Sequence, residues 1–348
     1  MKASFVSSSA INQAMRYSLM KTQAALVNAQ KEQATGFFAD KGLALGASTS
    51  QSVTFNREVE RMKGIVASNA LATTRLTATQ NALGQVSTAA QSFLSILHTA
   101  MTGDSTASVT KDMATDALKT MTSVLNTGVN GEFIFAGVNT DAKPINDYSA
   151  PGSPAKAAYD AAYAQYLADT GADPADPFPT AADMNAFLDT YVEPQFTGAS
   201  WDNWSNASDQ SISSRISLNE TTETSASANN DGFRKLAMAT TMISELMSGD
   251  LPSDARKALV DRAWALVSDS ISDIVNLQSK TGIAEKRVAD ASERLNTQTG
   301  LIEKHILATE GVDPLEANTR VADLLSHIET SYAITARIQQ LSLLKFLS

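Results

Sequence analysis

The chain has 348 residues, enough for two or three domains and a sizeable core, with 43% apolar but only 6% aromatic residues. Its formal net charge is −10 and it has no cysteine. The acidic balance leaves no basic patch to displace the counterions of a nucleic acid, and the missing cysteines exclude disulfides, thiol nucleophiles and thiolate metal sites. No apolar run approaches the roughly 20 residues of a spanning helix, so no membrane partner is expected.

The start, "MKASFVSSSAINQAMRYSLMK", lacks the apolar core and small-residue cleavage site of a secretory signal. Taken alone, that predicts a cytoplasmic protein. Ile11, Met15, Leu19, Thr22 and Leu26 form a helical stripe behind the capping run Ser7-Ser8-Ser9. Further on, Phe55, Val59, Met62, Val66, Asn69, Thr73, Leu76, Gln80, Leu83, Ser87, Ala90, Leu94 and Leu97 keep a 4-3 spacing without a slip. That is the pattern of a coiled-coil seam, and a helix over 55–97 would be about 65 Å long at ~1.5 Å per residue. Gly103 stops it, and a shorter amphipathic stretch from Val109 to Leu125 follows.

The middle of the chain is different material. Residues 145–230 hold twelve acidic and two basic residues, Lys156 and Arg215, so this segment carries the whole net charge. Seven of the nine prolines lie between Pro144 and Pro194, and ten of the 22 aromatics between Tyr148 and Trp204. The composition predicts an inserted small acidic domain, β or α+β, with its own aromatic core. Trp201 and Trp204 fit a packed core better than a carbohydrate-stacking surface.

A second long arm mirrors the first. Val260, Ala263, Val267, Ile274, Leu277, Ala284, Val288, Ala291, Leu295 and Ile302 lie on one 4-3 series, with polar interruptions at Ser270, Thr281 and Gln298. A long helix with one apolar seam needs a partner, so the two arms are expected to pack antiparallel. The last helix begins explicitly at "VDPLEANTR": Asp313 suits the cap, Pro314 the first turn and Glu316 a capping box. Val321, Leu324, Leu325, Ile328, Tyr332, Ile338, Leu341 and Leu344 run to its end, and Leu343, Phe346 and Leu347 add a second apolar face. More than one apolar face implies more than one neighbour.

No chemistry stands out. His98, His305 and His327 sit singly on the arms, and no phosphate loop, zinc motif or nucleophile elbow is present. Asp173 and Asp176 of "GADPADPF" do not match a calcium loop. No enzyme activity, cofactor or metal is expected.

Two stretches resemble the bacterial flagellin family. One is "ASNALATTRLTATQNALGQV" (67–86); the other is the C-terminal pattern Glu316-Ala317, Glu329, Ser331-Tyr332, Leu341-Ser342-Leu343-Leu344 and Phe346-Leu347. At the start of the insert, "NGEFIFAGVNTDAKPI" (130–145) reads as a turn, a short strand and a bend. Its Gly131, Phe133, Phe135 and Gly137 resemble the element of members at the hook–filament junction more than that of filament subunits. The segment "ATGFFADKGLALGAST" (34–49) departs from the family, which commonly carries an Arg-Ile pair there.

The resemblance implies a mainly α rod, a long antiparallel coiled coil or helical bundle with an inserted domain. Its expected divisions are a polymerisation helix (1–45), the N-terminal arm (46–140), the insert (141–231), the C-terminal arm (232–312) and a second polymerisation helix (313–348). It further implies export through the flagellar type III system without a cleaved signal, which overturns the cytoplasmic reading, and residence in the extracellular flagellum. Expected partners are identical subunits in a ring, the first hook-associated protein, flagellin, and a cytosolic export chaperone at 314–347. Subunit contacts are expected at Ile11, Met15, Leu19, Leu26, Leu325, Ile328, Tyr332, Ile338, Leu341, Leu343, Leu344, Phe346 and Leu347. The alternative within the family is the filament subunit itself.

Overall fold

The computed structural model of the chain describes residues 8–103 and 106–346, with side chains other than those of 8, 9, 11, 12 and 338–346. The described residues are mainly helical. Their order is α1 (Ser8–Thr35), α2 (Lys41–Leu45), α3 (Thr49–Thr102), α4 (Ala107–Leu125), β1 (Gly128–Val129), β2 (Glu132–Phe133), α5 (Pro154–Thr170) and α6 (Ala181–Phe187). Then come β3 (Ser213–Arg215), β4 (Thr221–Glu223), α7 (Asp231–Leu246), α8 (Ser253–Glu310) and α9 (Pro314–Phe346). They form two compact units: one gathers the chain up to Gly64 and from Leu295, the other runs from Ile65 to Arg294.

The predicted seam is present on α3. All thirteen positions are buried or half-buried, and Gly103, at φ +86°, turns the chain away at the helix end. The partner is α8, running antiparallel. In the second unit, Thr77 Oγ1 donates to Glu285 Oε1 at 2.6 Å and Gln80 Nε2 to the Gln278 carbonyl at 2.7 Å. In the first, Lys63 Nζ lies 2.7 Å from Glu303 Oε1, and the Phe55 and His305 rings are 5.9 Å apart. The α8 stripe departs from the predicted series at Gln298, which is exposed while Thr299 and Ile306 are buried. A helix of 3.6 residues per turn drifts against a 3.5 repeat, and here the drift moves the stripe by one residue.

The second unit has the larger core. α4 packs along α7, and α7 meets α8 almost backbone to backbone: Ser270 Oγ donates to the Gly232 carbonyl at 2.7 Å. A Cβ on Gly232 would sit 3.0 Å from that of Asp273. The insert contributes α5, α6 and a β3–β4 hairpin, so helices dominate it.

Its aromatics do cluster. Tyr148 stacks on Trp204 at 5.0 Å, Trp204 on Trp201 at 5.8 Å, and Tyr166 lies 5.3 Å from Phe178. Both tryptophans are buried, and Trp201 Nε1 donates to Asn229 Oδ1 at 2.8 Å. The cluster is continuous with buried residues of α3, α4, α7 and α8, such as Phe93, Met121, Phe233 and Val267. The insert's aromatics therefore finish the core of the flanking helices as well as their own.

Candidate functional site

The first unit carries the surface to which the sequence points. α1 and α9 pack antiparallel, since Gln23 Nε2 donates to the Tyr332 hydroxyl at 3.0 Å and Arg320 Nη1 reaches Glu32 Oε2 at 3.0 Å. Gln33 and Asn318 are also hydrogen-bonded across the pair. Each helix offers the other one heptad stripe. On α1, Met15, Leu19, Thr22 and Leu26 are half-buried and Ala29 is buried. On α9, Ala317, Val321, Leu324, Ile328, Ser331 and Thr335 follow a 4-3-4-3-4 spacing, and all are buried or half-buried.

A second stripe remains uncovered. Tyr17, Met20 and Val27, with Ala24 between them, are spaced 3-4-3 along α1, and the three large side chains are 70%, 61% and 62% exposed. On α9, Leu325 and Tyr332, one heptad apart, are 43% and 52% exposed, and Leu315 and Ile334 are exposed too. Single exposed apolar residues are ordinary. Rows of them at heptad spacing on paired helices are the form of a seam awaiting further helices.

The predicted contact residues thus divide. Met15, Leu19, Leu26 and Ile328 face the α1–α9 pairing, while Leu325 and Tyr332 stay open. The side chains of Ile11, Ile338, Leu341, Leu343, Leu344 and Phe346, and all of Leu347, lie outside the described residues, as do those of the Ser7-Ser8-Ser9 run. Sequence reasoning missed Tyr17, Met20 and Val27, although their spacing gave a second stripe on the same helix.

A polar knot ties the two ends of the chain together. Glu310, the last residue of α8, is fully buried. Its carboxylate accepts from Ser52 Oγ at 2.5 Å and Asn56 Nδ2 at 3.0 Å, and lies 2.5 Å from Lys41 Nζ. Burial works against the charge. The bonds from Lys41 and Ser52, the Lys41 charge and the bond from Asn56 outweigh it and hold the carboxyl below its usual pKa. The Glu310 carbonyl accepts from Phe38 N at 3.0 Å, Val312 N donates to the Gly36 carbonyl at 2.9 Å, and Glu32 Oε1 accepts from Ala39 N at 3.2 Å. The segment 34–49 therefore brings Gly36, Phe38, Ala39 and Lys41 to this knot. At the start of α9, Asp313 Oδ1 accepts from Leu315 N at 2.8 Å, and Glu316 pairs with Arg320 at 2.6 Å.

The residues singled out at the start of the insert lie in the second unit. Asn130 (φ +55°) and Gly131 (φ +86°) make the two-residue turn of the β1–β2 hairpin. Phe133 is half-buried, and Phe135 meets Phe233 edge-on at 5.8 Å. Gly137, at φ +63°, lies so close to the 208–210 backbone that a Cβ would come within 2.7 Å of the Gln210 carbonyl and collide with that of Ser208. These four residues position the insert rather than form a reactive site.

Among the described residues there is no cluster of His, Asp and Glu able to hold a metal, and no helix long and apolar enough to cross a membrane. His98, His305 and His327 are exposed on their helices. Asp173 Oδ1 accepts from Ala175 N at 2.9 Å within a tight turn.

The comparisons with known proteins agree with this architecture. Residues 6–140 match the bacterial flagellin N-terminal helical region, and residues 265–347 match the bacterial flagellin C-terminal helical region. No curated protein matches the chain. Among solved structures, a Vibrio parahaemolyticus protein assigned as flagellar hook-associated is similar at 13% identity and a TM-score of 0.51, over 75% of this chain and 96% of that one. Bacillus cereus FlgL aligns at 14% identity and a TM-score of 0.47, over 73% of this chain and 99% of that one.

Proposed function

Because the chain belongs to the bacterial flagellin family, we propose that it is the hook–filament junction subunit of the flagellum, hook-associated protein 3. It acts by packing. Identical subunits close into a ring through the uncovered stripes of α1 and α9, with the first hook-associated protein on one side and flagellin on the other. The contacts assigned to this role are Leu325 and Tyr332 of the open stripe and Ile11, Ile338, Leu341, Leu343, Leu344, Phe346 and Leu347 towards the helix ends, joined by Tyr17, Met20 and Val27, while Met15, Leu19, Leu26 and Ile328 pair α1 with α9. Before assembly an export chaperone covers 314–347, and the chain leaves through the flagellar type III channel.

The observation that carries this reading is the second heptad stripe on each terminal helix. Tyr17, Met20 and Val27 are each more than half exposed. Fully burying one such side chain is worth about 1.5–3 kcal/mol, so covering them in an assembly is a strong drive.

Deleting the gene tests the placement. A junction subunit predicts non-motile cells that shed unpolymerised flagellin into the medium. If the deletion instead removes all secreted flagellin, because this chain is the bulk protein of the filament, the junction reading fails and the filament reading stands.

A further inference from the structure

The β3–β4 hairpin does more than decorate the insert. Its tip loop, 216–220, enters a stretch of the α3–α8 pair that has little core of its own. The main core of the second unit reaches Ala82 on α3 and Ile274 on α8. Beyond it, a separate small cluster holds Ala72 and Leu76 from α3, Ala284, Val288 and Ala291 from α8, and Ile216 from the hairpin. Three of the five helix residues there are alanines. The apolar volume between the helices is completed by Ile216, which is fully buried.

Polar contacts fix the same loop from both helices. Asn69, buried in the α3 seam, uses one Nδ2 for two partners: the Ile216 carbonyl at 2.9 Å and Ser292 Oγ on α8 at 3.0 Å. Glu220 lies between two arginines spaced one heptad apart on α8, with Arg287 Nη2 at 3.0 Å and Arg294 Nη2 at 3.1 Å. Arg287 Nη1 also reaches Thr222 Oγ1 at 3.4 Å.

We infer that the β3–β4 hairpin is a clasp that holds α3 and α8 together between residues 69–76 and 284–294, with Ile216 as its plug, Asn69 as its hydrogen-bond key and Glu220 as its electrostatic latch. Local opening of a helix pair is set by the apolar contacts and hydrogen bonds that must break. Here a large share of both belongs to the hairpin, so the stiffness of this stretch is controlled by a segment of the insert. Asn69, one of the polar positions in the predicted seam, is thereby explained: it reads the hairpin backbone and α8 at once.

Amide hydrogen exchange on the full-length chain tests this, comparing the wild type with Ile216→Ala/Glu220→Gln and with Asn69→Ala. The expected result is exchange at least about tenfold faster in the hairpin and, together with it, in 66–78 and 281–294, since tenfold is the scale of losing one buried hydrogen bond and the loss of a buried apolar side chain is larger. Exchange in 83–97 and 255–270 should stay as in the wild type. The clasp is overturned if the hairpin is released while 281–294 keeps its protection. It is also overturned if the hairpin itself stays protected, or if 83–97 loosens equally. Glu220→Gln alone, which leaves the apolar cluster intact, should give a smaller change in the same segments.

Discussion

Met20 and Val27 lie one heptad apart on the uncovered stripe of α1, and their replacement by glutamine separates folding from assembly. Glutamine keeps helix propensity and length while removing the apolar surface. Full burial of such side chains is worth about 1.5–3 kcal/mol. Since 61% of Met20 and 62% of Val27 remain exposed, covering that remainder contributes about 1–2 kcal/mol each. The double variant Met20→Gln/Val27→Gln should therefore weaken each subunit contact by about 2–4 kcal/mol, roughly one to three orders of magnitude, and a closed ring repeats that loss at every interface. The portion already sheltered is worth about 0.5–1 kcal/mol for each side chain on the same scale, so urea unfolding of the monomer should change by only about 1–2 kcal/mol. The assay pairs this unfolding curve with the amount of protein recovered in flagella from cells carrying only the variant. Wild-type incorporation of a well-folded variant would refute the assembly role of the stripe. A stability loss above about 3 kcal/mol would show instead that these side chains belong to the monomer's own core.

Glu310 makes the first unit sensitive to acid. Its folded pKa is held below the ordinary carboxylate value of 4.5, so its stabilisation is present above that value and lost as pH falls through the folded pKa. Glu310→Gln should flatten the acid limb of a denaturation–pH profile and lower stability at neutral pH by about 2 kcal/mol, discounted because Lys41 is half-exposed; an unchanged acid limb would contradict this. Gly137→Ala should destabilise the second unit by at least about 2 kcal/mol in urea, since positive φ and a backbone collision add up, whereas Gly152→Ala, where a Cβ meets nothing within 4 Å, should lose only the positive-φ part. Tyr148→Phe removes the hydroxyl donor to Glu245 at 3.0 Å. The loss should be about 1 kcal/mol in urea unfolding, and an unchanged midpoint would contradict a stabilising bond.

The seam of α3 was legible because it depends on one helix and one period: thirteen positions at 4-3 spacing, none of them exposed. Gln298 shows where that rule stops, because the true period is 3.6 and the stripe slips to Thr299 and Ile306. The aromatic richness of the insert was plain in the composition, but not that Trp201 and Phe187 share a core with Phe93 and Met121. Which faces of distant elements meet is not encoded in any local pattern. The 34–49 segment was opaque for a related reason. Its work is done by the backbone of Gly36, Phe38 and Ala39 and by the Lys41–Glu310 pair, which join positions about 270 residues apart. On α9 both kinds of position were legible, Ile328 in the covered stripe and Leu325 and Tyr332 in the open one, whereas on α1 the stripe of Tyr17, Met20 and Val27 was masked by the stronger one through Met15, Leu19 and Leu26.

The position and abundance of the protein in isolated flagella test the central claim most directly. Immunogold labelling and quantitative gel analysis should find it scarce and confined to the hook end of the filament. Label distributed along the filament, with the chain as its bulk protein, would contradict the junction account.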